Sequence, residues 1–274
     1  MTQKQLEKFD GYWPTDKGLS FVTERAVMHG TDLLHDLIDL DWMQLHYFSI
    51  KGKHGDPDKL KAMMVAWAGC SYPDPRIWNN RIAALAGTTR STVNLAIGAA
   101  TAVSEATLYG NRANKKCIDM FWRAHAYQQQ GFSLTQFIAN ELASNRIIFG
   151  YGRPIRHGDE RLQPMIKRLK ALNLFEDPFI QMSLEIETIL NEKKGLSLNI
   201  SGITAALGVS LDFTPTEYHL FLSPVFTIGF TPCYMDALNK PQGCFFPLHC
   251  NRVKYTGAKI RNWDSSNSHV KINE

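Results

Sequence analysis

The chain has 274 residues, 44% of them hydrophobic and 20% charged, ordinary values for a globular protein. They exclude a disordered tail, a fibrous repeat and a collagen-like chain. Lys and Arg number 30 and Asp and Glu 26, a formal net charge of +4. That balance suits an anionic small ligand and is too weak to argue for nucleic acid as a partner.

The opening stretch MTQKQLEKFDGYWP is polar and lacks the apolar core of a signal peptide. No apolar run approaches the ~20 residues of a membrane helix. The expectation is a soluble cytoplasmic chain that engages no membrane. Leu60, Met63, Met64 and Trp67 stand at i, i+3, i+4 and i+7, one face of a helix. Asp56-Pro57-Asp58 marks its start. Asp74 to Arg81 (DPRIWNNR) joins a turn, two arginines and a tryptophan. It orients a ligand or builds an interface on one reading, and is arginine–carboxylate pairing and core filling on the other. Gly87 to Val103 is rich in small residues and reads as a buried helix.

Leu162, Met165, Ile166 and Leu169 repeat the helical spacing. Asp177-Pro178 opens a further helix, and Lys193-Lys194-Gly195 is its basic last turn and glycine stop. Gly202 to Leu211 has no charged face and predicts a helix buried all round. His219 to Met235 reads as a buried helix interrupted by Pro224, Gly229 and Pro232. Arg252 to Tyr255 is the best strand pattern. Strands alternating with helices are absent, so the fold class is all-α. Residues 1–107 and 198–263 are expected to form a large helical domain. Residues 108–197 are expected to form a smaller inserted lobe, and residues 264–274 a flexible tail.

The five cysteines show no CxxC spacing and read as reduced thiols. The nine histidines are dispersed, so no metal site is expected. No P-loop, HExxH, GxSxG or dinucleotide-binding glycine pattern occurs.

The densest chemistry lies in residues 149–162 (FGYGRPIRHGDERL). A Gly-Tyr-Gly turn lets backbone approach a ligand. Arginines behind it suit carboxylate or phosphate. The alternative is an exposed basic loop that caps the following helix.

This segment resembles the citrate synthase loop, Gly-aromatic-Gly-His followed by Asp-Pro-Arg. Four further segments resemble that family in order. Residues 30–69 are similar to its early helices, with the Gly-x-Leu-Pro turn recast at Gly52 to Pro57. EATLYGNRANKKCIDMF resembles its Leu-His-Gly-Gly-Ala-Asn helix start. LSLNISGITAALGVSLDF resembles its Asn-x-Asp-Gly or Asn-Val-Asp-x-x-Ser-Gly helix. PLHCNRVKYTGAKIRNW resembles its C-terminal arginine segment, best in citryl-CoA-lyase-like relatives.

The resemblance implies a citrate synthase-like multi-helix fold and a homodimer, or a hetero-oligomer with a paralogue. The helix from Thr88 and the helix from Gly202 are the interface candidates. It also implies chemistry on a CoA thioester as co-substrate, with no permanently bound cofactor. Gly150, Tyr151 and Gly152 would lie against the CoA adenine. The family's two catalytic histidines fall on Tyr109 and Arg153, and its aspartate base falls on Ser201 or on Leu198. Neither Ser201 nor Leu198 is a base unaided. Tyr109 can donate to an oxyanion, and Arg153 can hold an anion but not take a proton. His157 is a candidate replacement base. Arg161, in place in Asp-Glu-Arg, with Arg156, Arg261 and His249, is expected to grip carboxylates.

The expected activity is therefore making or cleaving a C–C bond between an acyl-CoA and a carboxylated carbonyl compound, other than ordinary citrate synthesis. Two alternatives stand beside it. One is a non-catalytic protein that binds CoA esters or di- and tricarboxylates, or supports an active paralogue. The other is a repurposed enzyme that acts on a small carboxylated metabolite without CoA.

Overall fold

Local chain chemistry sets the helix boundaries in the computed structural model, which describes residues 3–8, 10–70, 72–144, 146–153, 158–245 and 249–259. After a short helix α1 (Gln3–Glu7), residues 18–32 form an antiparallel sheet of β1 (Gly18–Phe21), β2 (Arg25–Met28) and β3 (Thr31–Asp32). Gly18 pairs with Met28, Phe21 with Arg25, and Val27 with Asp32. The sequence reading missed these strands, because β1 is mostly exposed and lacks a clean in–out alternation. His29 ties the sheet to the body through Nε2 and the Ser49 carbonyl, 2.9 Å apart.

Helix α2 (Trp42–Lys51) starts at an Asp41–Gln44 capping box and stops at Gly52, which is left-handed. Helix α3 (Pro57–Cys70) follows, with the Asp56 carboxylate accepting from the Asp58 and Lys59 amides. Leu60, Met63 and Trp67 of the expected stripe are buried, while Met64 lies on its outer edge. Next come α4 (Trp78–Thr88), α5 (Val93–Val103), α6 (Asn111–Gln129) and α7 (Leu134–Ala143). They are followed by α8 (Leu162–Ala171), α9 (Pro178–Lys194), α10 (Ile200–Ser210), α11 (Pro215–Leu222) and α12 (Thr227–Leu238). A 3-10 turn covers Cys250–Arg252. Asp177 caps α9 by accepting from the Phe179 amide, and Gly195 ends it in the left-handed region, as its sequence signals require.

One continuous hydrophobic cluster joins α2, α3, α6, α7, α8, α9, α10 and α11. The helices between residues 108 and 197 thus share a core with those outside that range. Two smaller clusters are built by α4, α5 and α12. Helix α10 lies at the centre, with Gly202 through Val209 all buried. Cys70, Cys117, Cys233 and Cys244 are free thiols.

Several sequence expectations need correction. The segment 87–103 is two helices that break around Arg90, which is left-handed, and α5 buries only Ala96 and Ala100. An uncharged sequence does not guarantee enclosure within one chain. Helix α10 is enclosed within its own chain, so it offers no face to a second copy. The segment 219–235 divides between α11 and α12, with Pro232 inside the latter. Val253 to Tyr255 form no strand. In the cluster at 74–81, Asp74 takes a two-pronged contact from Arg76 Nε and Nη2 at 3.0 and 2.7 Å, and Arg81 lies over the Phe245 ring. That is internal pairing rather than ligand orientation. The tail from Asp264 lies outside the described residues.

Candidate functional site

The Gly-Tyr-Gly turn is fastened to the start of α10 by backbone hydrogen bonds. Tyr151 forms an antiparallel bridge with Leu198, and the Gly152 amide donates to the Ser197 carbonyl at 2.6 Å. The Asn199 amide donates to the Gly150 carbonyl at 3.0 Å, and its side-chain Nδ2 to the Gly152 carbonyl at 2.9 Å. Asn199 Oδ1 also accepts from the Ser201 and Gly202 amides, capping α10. Gly150 has φ 90°, and a Cβ there would stand 2.6 Å from Cys117 Sγ and 2.7 Å from Gly202 Cα. Only glycine permits this three-way approach of loop, α6 and α10. Tyr151 turns inward and donates its hydroxyl to the Ser183 carbonyl at 2.9 Å. Its ring is core, so only the backbone of this turn can meet a ligand.

Beyond the turn, Asp159 organises the charge. Its side chain is fully buried and accepts from Arg161 Nε and Nη2, both at 2.7 Å. The Ile200 amide, at the first turn of α10, donates to Asp159 Oδ2 at 2.9 Å. Burial pushes this carboxyl up, but the Arg161 fork and the Ile200 amide outweigh it and hold it below its ordinary range. Arg161 therefore spends its planar fork on Asp159. Two of its side-chain donors are committed there. Arg153 Nη1 lies 2.5 Å from Glu160 Oε2, 3.8 Å from Asp159 Oδ1 and 3.4 Å from the Gly158 carbonyl. It lines a pocket of ≈ 60 Å³ with Gly152, Gly158, Leu196 and Ser197.

Ser201 sits one residue into α10, where its hydroxyl donates to Asn114 Oδ1 on α6 at 2.5 Å. Asn114 Nδ2 in turn faces Asn111 Oδ1 at 3.4 Å, and the buried Asn111 donates to the Leu222 carbonyl. Leu198, the other position matched to the family's base, is a buried core side chain whose amide donates to Glu187. Asn114 also borders a cavity of ≈ 10 Å³ with Trp67, Cys70 and Thr204. The buried Trp67 Nε1 has no hydrogen-bond partner among the described residues. Burial pushes the Cys70 thiol up to about 11 and raises that of Cys117 further, so neither is poised as a thiolate.

The elements thus bring Gly150, Gly152, Arg153, Asp159, Arg161 and Ser201 around the start of α10. Tyr109 precedes the Gly110 cap of α6 with φ 64° and is 62% exposed. No polar contact joins it to Ser201, Arg153 or Arg161 among the described residues. His249 is exposed, and Arg156, His157 and Arg261 lie outside the described residues. Sequence reasoning did not single out Asp159, Glu160, Asn111, Asn114 or Asn199. The first two were legible as acids flanked by arginines within one turn. The asparagines become functional neighbours only once α6 and α10 cross. Among the described residues, no group of three or more His, Cys, Asp or Glu could hold a metal ion.

This architecture is a citrate synthase-like fold. Citryl-CoA lyase from Hydrogenobacter thermophilus superposes with a TM-score of 0.81 at 17% identity, over 93% of this chain and 98% of the lyase. ATP citrate lyase from Methanothrix soehngenii, in complex with citrate and coenzyme A, gives 0.70 at 17% identity, over 93% of this chain and 44% of its own. Citrate synthase from Thermoplasma acidophilum gives 0.62 at 15% identity, over 81% and 58%. No protein-family model matches the chain, and no curated protein matches it.

Proposed function

We propose that this chain acts on a CoA thioester and a carboxylated carbonyl compound, cleaving or forming the C–C bond between them in the manner of citryl-CoA lyase. The observation that carries this reading is near end-to-end superposition on that lyase, with a glycine turn and arginines gathered at the start of α10. In this reading the backbone of Gly150 to Gly152 lies along the CoA, and Arg153 meets an anionic group. Ser201 has its proton committed to Asn114, so it accepts a hydrogen bond from substrate. No permanently bound cofactor is required. The compartment consistent with the free thiols is the cytoplasm.

Mixing the purified chain with citryl-CoA is expected to release oxaloacetate, followed by coupled reduction. Acetyl-CoA plus oxaloacetate is expected to give no brisk thiol release, because lyase-type chemistry changes only the C–C bond and leaves the thioester intact, whereas citrate synthesis ends in thioester hydrolysis. Brisk release would overturn the reading.

A second reading, binding without turnover, is favoured by one observation. Asp159 is spent on Arg161, Glu187 on the Leu198 amide, and the Ser201 hydroxyl on Asn114. Calorimetric binding of coenzyme A and citrate with no citryl-CoA cleavage would select it, and citrate binding without coenzyme A would select chemistry independent of CoA. The outer face of α5 supports a homodimer. It exposes Val93, Leu95, Gly98, Ala99 and Ala102 and carries no charge along its 11 residues.

A further inference from the structure

Two arginines in the loop before α8 each hold an acid from the same turn, yet the two pairs differ in kind. Asp159 grips Arg161 with both oxygens, is fully buried, and takes a third hydrogen bond from the Ile200 amide. Glu160 touches Arg153 through one oxygen, and its side chain is 63% exposed. A buried two-pronged pair is costly to open, whereas an exposed one-pronged pair is weak and exchanges with water and ions. All described contacts of Arg153 use Nη1, leaving Nη2 and Nε uncommitted among the described residues. The guanidinium borders a pocket whose other walls are Gly152, Gly158, Gly195, Leu196, Ser197 and Leu198, none of them acidic. Glu160 also stands where the resembling motif has proline, so its carboxylate is an addition to the turn.

We propose that Glu160 is an internal competitor for Arg153: the pocket takes a small anion, carboxylate or phosphate, that displaces the Glu160 carboxylate from the guanidinium. The Asp159–Arg161 pair stays closed and serves as the fixed wall against which the exchange occurs. This inference deepens the proposed function and rests on its placement of Arg153 beside an anionic group. It assigns Glu160 the role of setting how tightly that group is held. The acid lowers affinity for every anion at this point, and it favours ligands whose charge exceeds that of a single carboxylate.

The test is isothermal titration calorimetry on the full chain at low ionic strength, with citrate, coenzyme A and inorganic phosphate as probes. Glu160→Gln removes the competitor's charge. Glu176→Gln makes the same charge change at an exposed position just before α9, the length of that helix away from the pocket-lining Gly195. Glu160→Gln is expected to bind at least one probe about two- to fivefold more tightly than the wild type, the range a partly exposed ion pair allows. Glu176→Gln should leave affinity unchanged, and adding Arg153→Gln to Glu160→Gln should abolish the gain. A gain for citrate alone identifies a carboxylate ligand, and a gain for coenzyme A and phosphate identifies a phosphate. Equal behaviour of Glu160→Gln and Glu176→Gln with all three probes overturns the competition. If citrate and coenzyme A bind the wild type and Glu160→Gln equally, competition fails while the proposed function stands. If only phosphate binds, and more tightly to Glu160→Gln, competition stands and the proposed function fails.

Discussion

At Asp159 a single carboxylate closes an arginine fork and satisfies the first amide of α10. Asp159→Asn keeps the shape and removes the charge, leaving Arg161 half-buried without its counter-ion. The expected loss of stability is roughly 2–4 kcal/mol, toward the lower end of buried-pair costs because Arg161 is partly exposed. The pH dependence has a definite sign. The folded carboxyl lies below its ordinary 3.8. Its contribution is therefore fully present above that value and is lost as pH falls through the lower folded one. Thermal melts between pH 2 and pH 5 should be steeper for wild type than for Asp159→Asn, and parallel curves would contradict this account. At this scale the sequence was legible in residue type and silent on partnership. The arginines of residues 153–161 announce anion chemistry, but which acid spends which arginine follows from the backbone path between them. Spacing alone would equally have allowed Asp159 to give its two-pronged contact to Arg153, which stands 3.8 Å from it instead.

Helices and turns were the most legible layer, wherever their ends carry local chemistry. Asp177-Pro178 and Lys193-Lys194-Gly195 bound α9, and the Asp56-Pro57 turn opens α3. Thr214 and Glu217 form a capping box at α11. Thr214→Ala should cost about 1 kcal/mol in chemical denaturation, because the Glu217 amide loses the hydroxyl that caps it. Elements without such signals were misread. The strands between residues 18 and 32 are held by cross-strand pairing, and α5 hides from a one-dimensional reading because apolar composition does not say what covers it. The crossing of the glycine turn over α10 is the tightest point between elements. Gly150→Ala is expected to destabilise by roughly 2–4 kcal/mol, since the new methyl meets Cys117 and Gly202 at a left-handed φ. A stability within 1 kcal/mol of wild type would mean that the turn can lift from the helix.

On the scale of the whole molecule, the all-α architecture was readable from helical periodicity and from the absence of a strand–helix alternation. The layout of its core was not, because cluster membership depends on contacts between residues more than a hundred positions apart. Tyr47 and the Leu211 carbonyl, or His46 and the Phe221 carbonyl, are examples. The uncovered face of α5 carries the prediction that belongs to this scale. Leu95, 68% exposed in the single chain, is expected at the centre of a dimer contact. Leu95→Lys should convert a dimer to a monomer in light scattering and leave the helical circular dichroism intact. A wild-type chain that is monomeric at micromolar concentration would remove the dimer.

The central position of α10 has a practical consequence for anyone who would re-equip this protein. Its leading end is already spoken for: an asparagine roofs it, an aspartate plugs it, and a second asparagine holds the serine hydroxyl. Placing an acid at position 201 by Ser201→Asp would set a new negative charge against the Asn114 oxygen rather than against a proton donor. Redesign of the chemistry would thus have to begin on α6, by turning that asparagine around or replacing it, before any change on α10 itself could take effect.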